Sequence, residues 1–172
     1  MTLRASLLAT LLALAFAIWG ALKPQPPLPP EITGQIDRIL IDKSDRMLLA
    51  YQDGRVVRRL PVNLGFAPDG DKVRQGDGKT PEGLFRVDRR NAHSRFHLSL
   101  GIDYPQPDDI ARARAGGYSP GGDIFIHGQP RGITGLQRIA YDWTEGCIAI
   151  NNDAMTELFH ATPLGTPVEI RP

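Results

Sequence analysis

Residues 123–152 read D-I-F-I-H-G-Q-P-R-G-I-T-G-L-Q-R-I-A-Y-D-W-T-E-G-C-I-A-I-N-N. In this stretch His127 follows the apolar run Ile124-Phe125-Ile126. Cys147, the only cysteine of the chain, stands twenty positions later. An imidazole that takes the proton of a nearby thiol turns a weak nucleophile into a strong one, so His127 and Cys147 form a candidate catalytic pair. The plain alternative is that a lone cysteine is a small buried hydrophobe. The neighbours favour the first reading. Gly146 lets the backbone turn tightly before Cys147, which would aim peptide N–H groups at a developing oxyanion. Ile148-Ala149-Ile150 continues as a buried strand or turn and places Cys147 at the edge of a core.

The residues Ile126-His127-Gly128 followed by Thr144-Glu145-Gly146-Cys147-Ile148 resemble the active-site signature of the L,D-transpeptidase catalytic domain (YkuD-like) family. The match is to the branch reading Asp-Trp-Thr-x-Gly-Cys-Ile-Ala, here Asp142 to Ala149. Gly76-Asp77-Gly78-Lys79-Thr80-Pro81-Glu82-Gly83-Leu84-Phe85 is a second family-like piece, a Thr-Pro-x-Gly segment entering a strand. The resemblance implies a β-sandwich-like fold and a cysteine-dependent acyl transferase acting on peptidoglycan stem peptides through a Cys147 thioester. It also implies roles in peptidoglycan biosynthesis, cell wall organisation and cell shape. His127 and Cys147 would be catalytic; Gly128, whose carbonyl would orient the imidazole, Thr144 and Gly146 would meet the substrate. Two departures stand out. Most of the family has His where this chain has Glu145, and Arg where it has Ala149. Loss of that guanidinium removes a fork suited to a carboxylate. A hydrolase of the same family, an L,D-carboxypeptidase or an amidase releasing a wall-attached group, is therefore the alternative. A wall-attached lipoprotein would then be a further partner. A non-catalytic wall-binding module is the third reading.

The rest of the chain fits an exported domain. Arg4 precedes a mostly apolar run from Ala5 to Leu22, the layout of a secretory signal and long enough for a membrane anchor. Residues 1–22 are read as one or the other. Residues 23–34 are read as a linker; Lys23 to Pro30 holds five prolines in eight residues and favours a stiff, extended spacer. Residues 35–172 form the catalytic domain, placed in the periplasm or cell envelope, with membrane contact only through the N-terminal segment. Eighteen of the 20 Lys and Arg and all 19 Asp and Glu lie in residues 31–172, a balance without a nucleic-acid footprint.

Short β-rich runs punctuated by turns predict a mainly β domain with two short helices. Strands are expected at Arg38–Asp42 and Arg46–Tyr51, then at Val56–Val62 after the Asp53-Gly54 hairpin signal. Further strands are expected at Leu84–Val87, Phe96–Leu100 and Thr166–Ile170. Asp108 or Asp109 would cap a helix ending at Gly116-Gly117, and Asn151 or Asn152 one over Ala154–Phe159. Gly65 to Gly83 is a long loop of the kind that carries function. His93 and His97 are four apart in extended surroundings, a poor arrangement for metal. No metal or cofactor is expected. Arg131 and Arg138, between the paired candidates, are read equally as partners for a substrate carboxylate or as solvated surface charges.

Overall fold

The computed structural model describes residues 32–172. The leader or anchor expected at 1–22 and most of the linker at 23–34 lie outside the described residues. The chain runs β1 (Arg38–Asp42), β2 (Met47–Gln52), β3 (Arg55–Pro61), β4 (Gly83–Asn91) and β5 (Ser99–Ile102). It continues through α1 (Pro107–Gly116), β6 (Phe125–His127), β7 (Ile148–Ala149), α2 (Asn152–Ala161) and β8 (Pro167–Arg171). Among the described residues the fold is mainly β with two helices, as the sequence predicts.

The strands lie in the order β3-β2-β1-β8-β4-β5-β6-β7. The first three form the expected antiparallel meander. Asp53 and Gly54 both take positive φ, 51° and 71°, which a two-residue hairpin needs to match the strand twist. The closing strand β8 inserts between β1, to which it is parallel, and β4, to which it is antiparallel. β4 serves two halves of the sheet. Its first residues pair with β8 and its later ones with β5, with a register shift between Val87 and Arg89. A strand that bends at a bulge to change partners is how a sheet folds over on itself. Isolated bridges Asn63–Ala149 and Gly65–Thr144 then bring the chain beyond β3 against the β7 region. The curl is what places the loop after β3 beside Cys147.

Alternation along the strands fills the interior. Ile39, Ile41, Leu48, Leu64, Leu100, Ile102, Ile126 and Ile148 are buried to 0% exposure, giving the sheet one continuous apolar core. α2 adds Ala154, Met155, Leu158 and Phe159, one face of an amphipathic helix. Its N-cap is Asn151, whose side chain accepts the Ala154 N–H at 2.8 Å. α1 is a surface helix that buries only Ala113.

Two expectations are corrected. The strand expected at Phe96–Leu100 begins at Ser99, because His97 takes φ 69° and the backbone before it is a turn. The cap of α1 is Gln106, with Pro107 as the first helical residue. Asp109 instead accepts the Gln106 N–H at 3.0 Å from inside the first turn.

Candidate active site

β6 and β7 are short parallel neighbours, with Ile126 opposite Ile148 and His127 opposite Ala149. That register puts His127 at the end of one strand and Cys147 just before the start of the next. Twenty residues of chain separate them, yet both line one groove of about 700 Å³. Its walls also carry Lys72 from the loop after β3, Arg95 and Phe96 from the β4–β5 connection, and Asp123 and Glu145 flanking the pair.

The imidazole is fixed from several sides. His127 is 3% exposed and its Nδ1 lies 2.6 Å from the Gly128 carbonyl oxygen. A carbonyl only accepts, so Nδ1 carries the proton and Nε2 is the nitrogen with a free lone pair. Phe96 stacks on the ring at 4.7 Å and 26°, and Trp143 meets it edge-on at 5.7 Å and 68°. Burial drives the His127 pKa down to about 4, with the Gly128 hydrogen bond opposing. His127 is thus neutral at physiological pH. Burial likewise pushes the Cys147 thiol up. The Phe125 backbone and Lys72 oppose this, while the carboxylates of Asp123 and Glu145 reinforce it. The thiol lies 3.5 Å from the Asp123 carbonyl. At rest the proton therefore sits on the thiol and the imidazole is neutral.

The turn into Cys147 is braced by Thr144. Its Oγ1 accepts the Gly146 N–H at 3.1 Å and donates to the Cys147 carbonyl at 2.7 Å. Gly146 takes φ 134°, and a Cβ there would stand 2.6 Å from the Lys79 carbonyl oxygen. Only glycine fits this crossing of the two loops. Gly128, Thr144 and Gly146 are not among the groove-lining residues. They lie behind the pair and hold its backbone.

The loop after β3 is held open beside the groove by two buried lysines. Lys43 donates to the carbonyls of Gly70 (2.7 Å) and Thr80 (3.1 Å) and to Glu82 Oε1 (2.7 Å). Lys72 pairs with Asp77 at 2.8 Å, and Asp77 also accepts the N–H groups of Val73, Arg74 and Lys79. Burial raises the Asp77 pKa, but the Lys72 hydrogen bond and those backbone N–H groups outweigh it and hold the carboxyl at about 2. Across the groove, Gln129 and Asn152 tie down the segment between the paired residues. Asn152 accepts the Gln129 N–H at 2.7 Å and donates to Ile133 O at 2.8 Å, while Gln129 donates to Ile150 O at 2.8 Å.

The other candidates fall elsewhere. Arg131 and Arg138 do not line the groove, and Arg138 reaches the Val62 carbonyl instead. His97 sits 2.8 Å from Thr156 Oγ1 on α2, while His93 is on the groove wall. Among the described residues no set of three His, Cys, Asp or Glu side chains is placed to hold a metal. Sequence reasoning missed Phe96 as the ring beneath His127 and Arg95 as a groove residue. Phe96 comes from a turn read as the start of a strand and Arg95 from the residue before it, and no local signal marks either.

The sheet folds over on itself and holds an oriented histidine and the chain's one cysteine in a single groove. Residues 36–170 match the L,D-transpeptidase catalytic domain (YkuD), and the chain belongs to that family. It is 35% identical over 92 residues to YafK of Escherichia coli (strain K12), itself named a candidate L,D-transpeptidase. That alignment covers 52% of this chain and 30% of YafK. Among solved structures it resembles the helical cell shape determining protein Pgp2 of Campylobacter jejuni (TM-score 0.58, 26% identity). The match covers 81% of this chain and 48% of Pgp2. An L,D-transpeptidase of Xylanimonas cellulosilytica shares the fold, with TM-score 0.54 and 22% identity over 91% of this chain and 68% of that one. The chain thus spans under half the length of YafK and of Pgp2.

Proposed function

We propose that this protein is a cysteine acyl-transfer enzyme of the cell envelope that acts on peptidoglycan stem peptides. The observation that carries the reading is the Nδ1–Gly128 hydrogen bond, which leaves Nε2 as a base in the groove that Cys147 shares. In this scheme Cys147 Sγ attacks the carbonyl of the stem's diamino acid while His127 Nε2 takes the thiol proton. The Cys147 peptide N–H, next to the Thr144-braced turn, faces the developing oxyanion. As the C–N bond breaks, Nε2 returns the proton to the departing amine and a thioester remains on Cys147. An acceptor amine from a second stem then attacks the thioester; the new C–N bond forms as the C–S bond breaks, and the amine's proton passes through His127 Nε2 back to Cys147 Sγ. Gly128, Thr144 and Gly146 then serve the substrate through the backbone they hold.

A hydrolase that passes the same thioester to water is the second reading. Ala149 favours it: 0% exposed on β7, it offers no guanidinium to an acceptor. The name of Pgp2 supports a wall-shaping role for this chain as well. Export rests on Arg4 and the apolar run to Leu22. Among the described residues no helix is long and apolar enough to cross a membrane.

Incubation of the purified protein with defined muropeptides, followed by mass spectrometry, tests the reading. Wild type should yield cross-linked or trimmed stems. Cys147→Ala should yield none while keeping the wild-type circular dichroism, since the change removes one sulfur from a half-buried site. Turnover by Cys147→Ala would end the thiol mechanism.

A further inference from the structure

Two cations line the groove besides its histidines, and they differ in what they are free to do. Lys72 is 2% exposed and committed to Asp77. Arg95, on the exposed turn between β4 and β5, makes no ion pair among the described residues. Its guanidinium lies 5.5 Å from the centre of the Phe96 ring, and that ring is the one stacked on His127. A guanidinium resting over an aromatic face keeps its N–H fork available to an oxygen ligand.

The groove also carries opposite charge. Asp123 and Glu145 line the groove beside Cys147 and act on its thiol. Arg89 partly offsets Asp123 at 3.3 Å, whereas Glu145 has no cationic partner among the described residues. The carboxylates that act on the thiol and the unpaired cation Arg95 thus line the same groove, while Lys72, which also acts on the thiol, is held by Asp77. β7 contributes no charge to it, since Ile148 and Ala149 are both fully buried and neither lines the groove. Any free carboxylate on a bound peptide has one unpaired guanidinium to meet.

We propose that Arg95 is a specificity-determining residue, whose guanidinium binds a free carboxylate of the peptide substrate while the acyl carbon is presented to Cys147. This rests on the acyl-transfer reading above for the identity of the peptide, but the positive subsite itself does not. A bidentate fork on a carboxylate fixes both the position and the orientation of the ligand. Held next to the Phe96 ring, such a carboxylate would be anchored to the same aromatic stack that holds the base.

Two measurements separate the levels of the claim. The first is the ratio of Cys147 alkylation rates by iodoacetate and iodoacetamide, reagents alike except for charge, at ionic strength about 10 mM, where screening is weak. Arg95→Gln should lower that ratio about threefold, Arg95→Lys should retain most of it, and Arg59→Gln, outside the groove, should leave it alone. The second is KM for a stem peptide with a free carboxylate against its carboxamide. Arg95→Gln should raise KM for the carboxylate about tenfold, more than it lowers kcat, and abolish the preference. Arg95→Lys should recover only part, because a point charge replaces a fork. An unchanged alkylation ratio in Arg95→Gln, or an equal shift in Arg59→Gln, overturns the proposal, as does a carboxylate preference that survives Arg95→Gln. Stem peptides inert to the wild type would count against the proposed function, and the alkylation ratio would still decide the role of Arg95.

Discussion

With Nδ1 committed to the Gly128 carbonyl and burial drawing its pKa to about 4, His127 is neutral, and in the proposed mechanism its Nε2 is the base that takes the thiol proton. Cys147 for its part is held protonated by burial and by the carboxylates of Asp123 and Glu145. In the proposed mechanism the proton therefore moves during attack rather than before it. The rate of Cys147 alkylation by iodoacetamide should accordingly rise with pH around a midpoint above the free-thiol value of ~8.5. A midpoint below neutrality would reveal a preformed thiolate–imidazolium pair and refute this account. His127→Gln should cost about 10²–10⁴ in turnover, the usual contribution of a general base. Its alkylation midpoint should stay in or above the free-thiol range.

The β6–β7 pair supplies the positions, and the loops on either side supply the precision. Thr144 is 4% exposed and its hydroxyl closes the turn between Gly146 and Cys147 from both directions. Thr144→Val keeps the shape and leaves two backbone groups without their partner. A loss of about 1–3 kcal/mol in denaturant unfolding is expected, the cost of an unsatisfied buried group. A positioning role predicts more: kcat should fall further than KM rises, and Thr144→Ser should restore it. Equal kinetics in Thr144→Val and wild type would reduce Thr144 to a purely structural residue. The loop from Gly65 to Gly83 shows the same division of labour. Its length marks it in the sequence as functional, but its shape comes from Lys43 and Lys72, each buried against partners that local sequence does not name.

The burial that tunes the base also couples the entire fold to pH. Above pH 6.5 His127 is neutral folded and unfolded alike. As pH falls from 6.5 towards about 4, the unfolded chain takes up a proton that the native site refuses, so stability declines. The full span corresponds to about 3 kcal/mol at most. Below that, Asp77 becomes the sensitive group, since its stabilisation is present above the ordinary carboxyl range and is lost as pH falls towards about 2. Thermal unfolding of wild type and His127→Gln between pH 7 and 4.5 should show a steeper decline in the wild type. Parallel curves would mean that His127 titrates at its ordinary value in the native state.

Much of this molecule is readable along the chain because its signals are local. Alternating apolar residues mark β1 to β3, Asp53-Gly54 marks their hairpin, Asn151 marks the start of α2, and the His-Gly and Thr-x-Gly-Cys pieces mark the pair. Each depends on residues a few positions apart, whose backbone preferences or turn chemistry act without help from the rest of the fold. The parts that needed the tertiary structure depend on distant residues meeting. The positive φ at His97 turned an apparent strand into the turn that carries Arg95 and Phe96 to the groove. Burial, which no motif encodes, set the protonation of His127 and Cys147. Arg131 and Arg138 lie between the paired residues in sequence but away from the groove, while Arg95 comes from another connection and lines it. Spacing along the chain bounds where a side chain can go, but the curl of the sheet decides which side chains share a solvent-excluding wall, and charge acts through space rather than along the backbone.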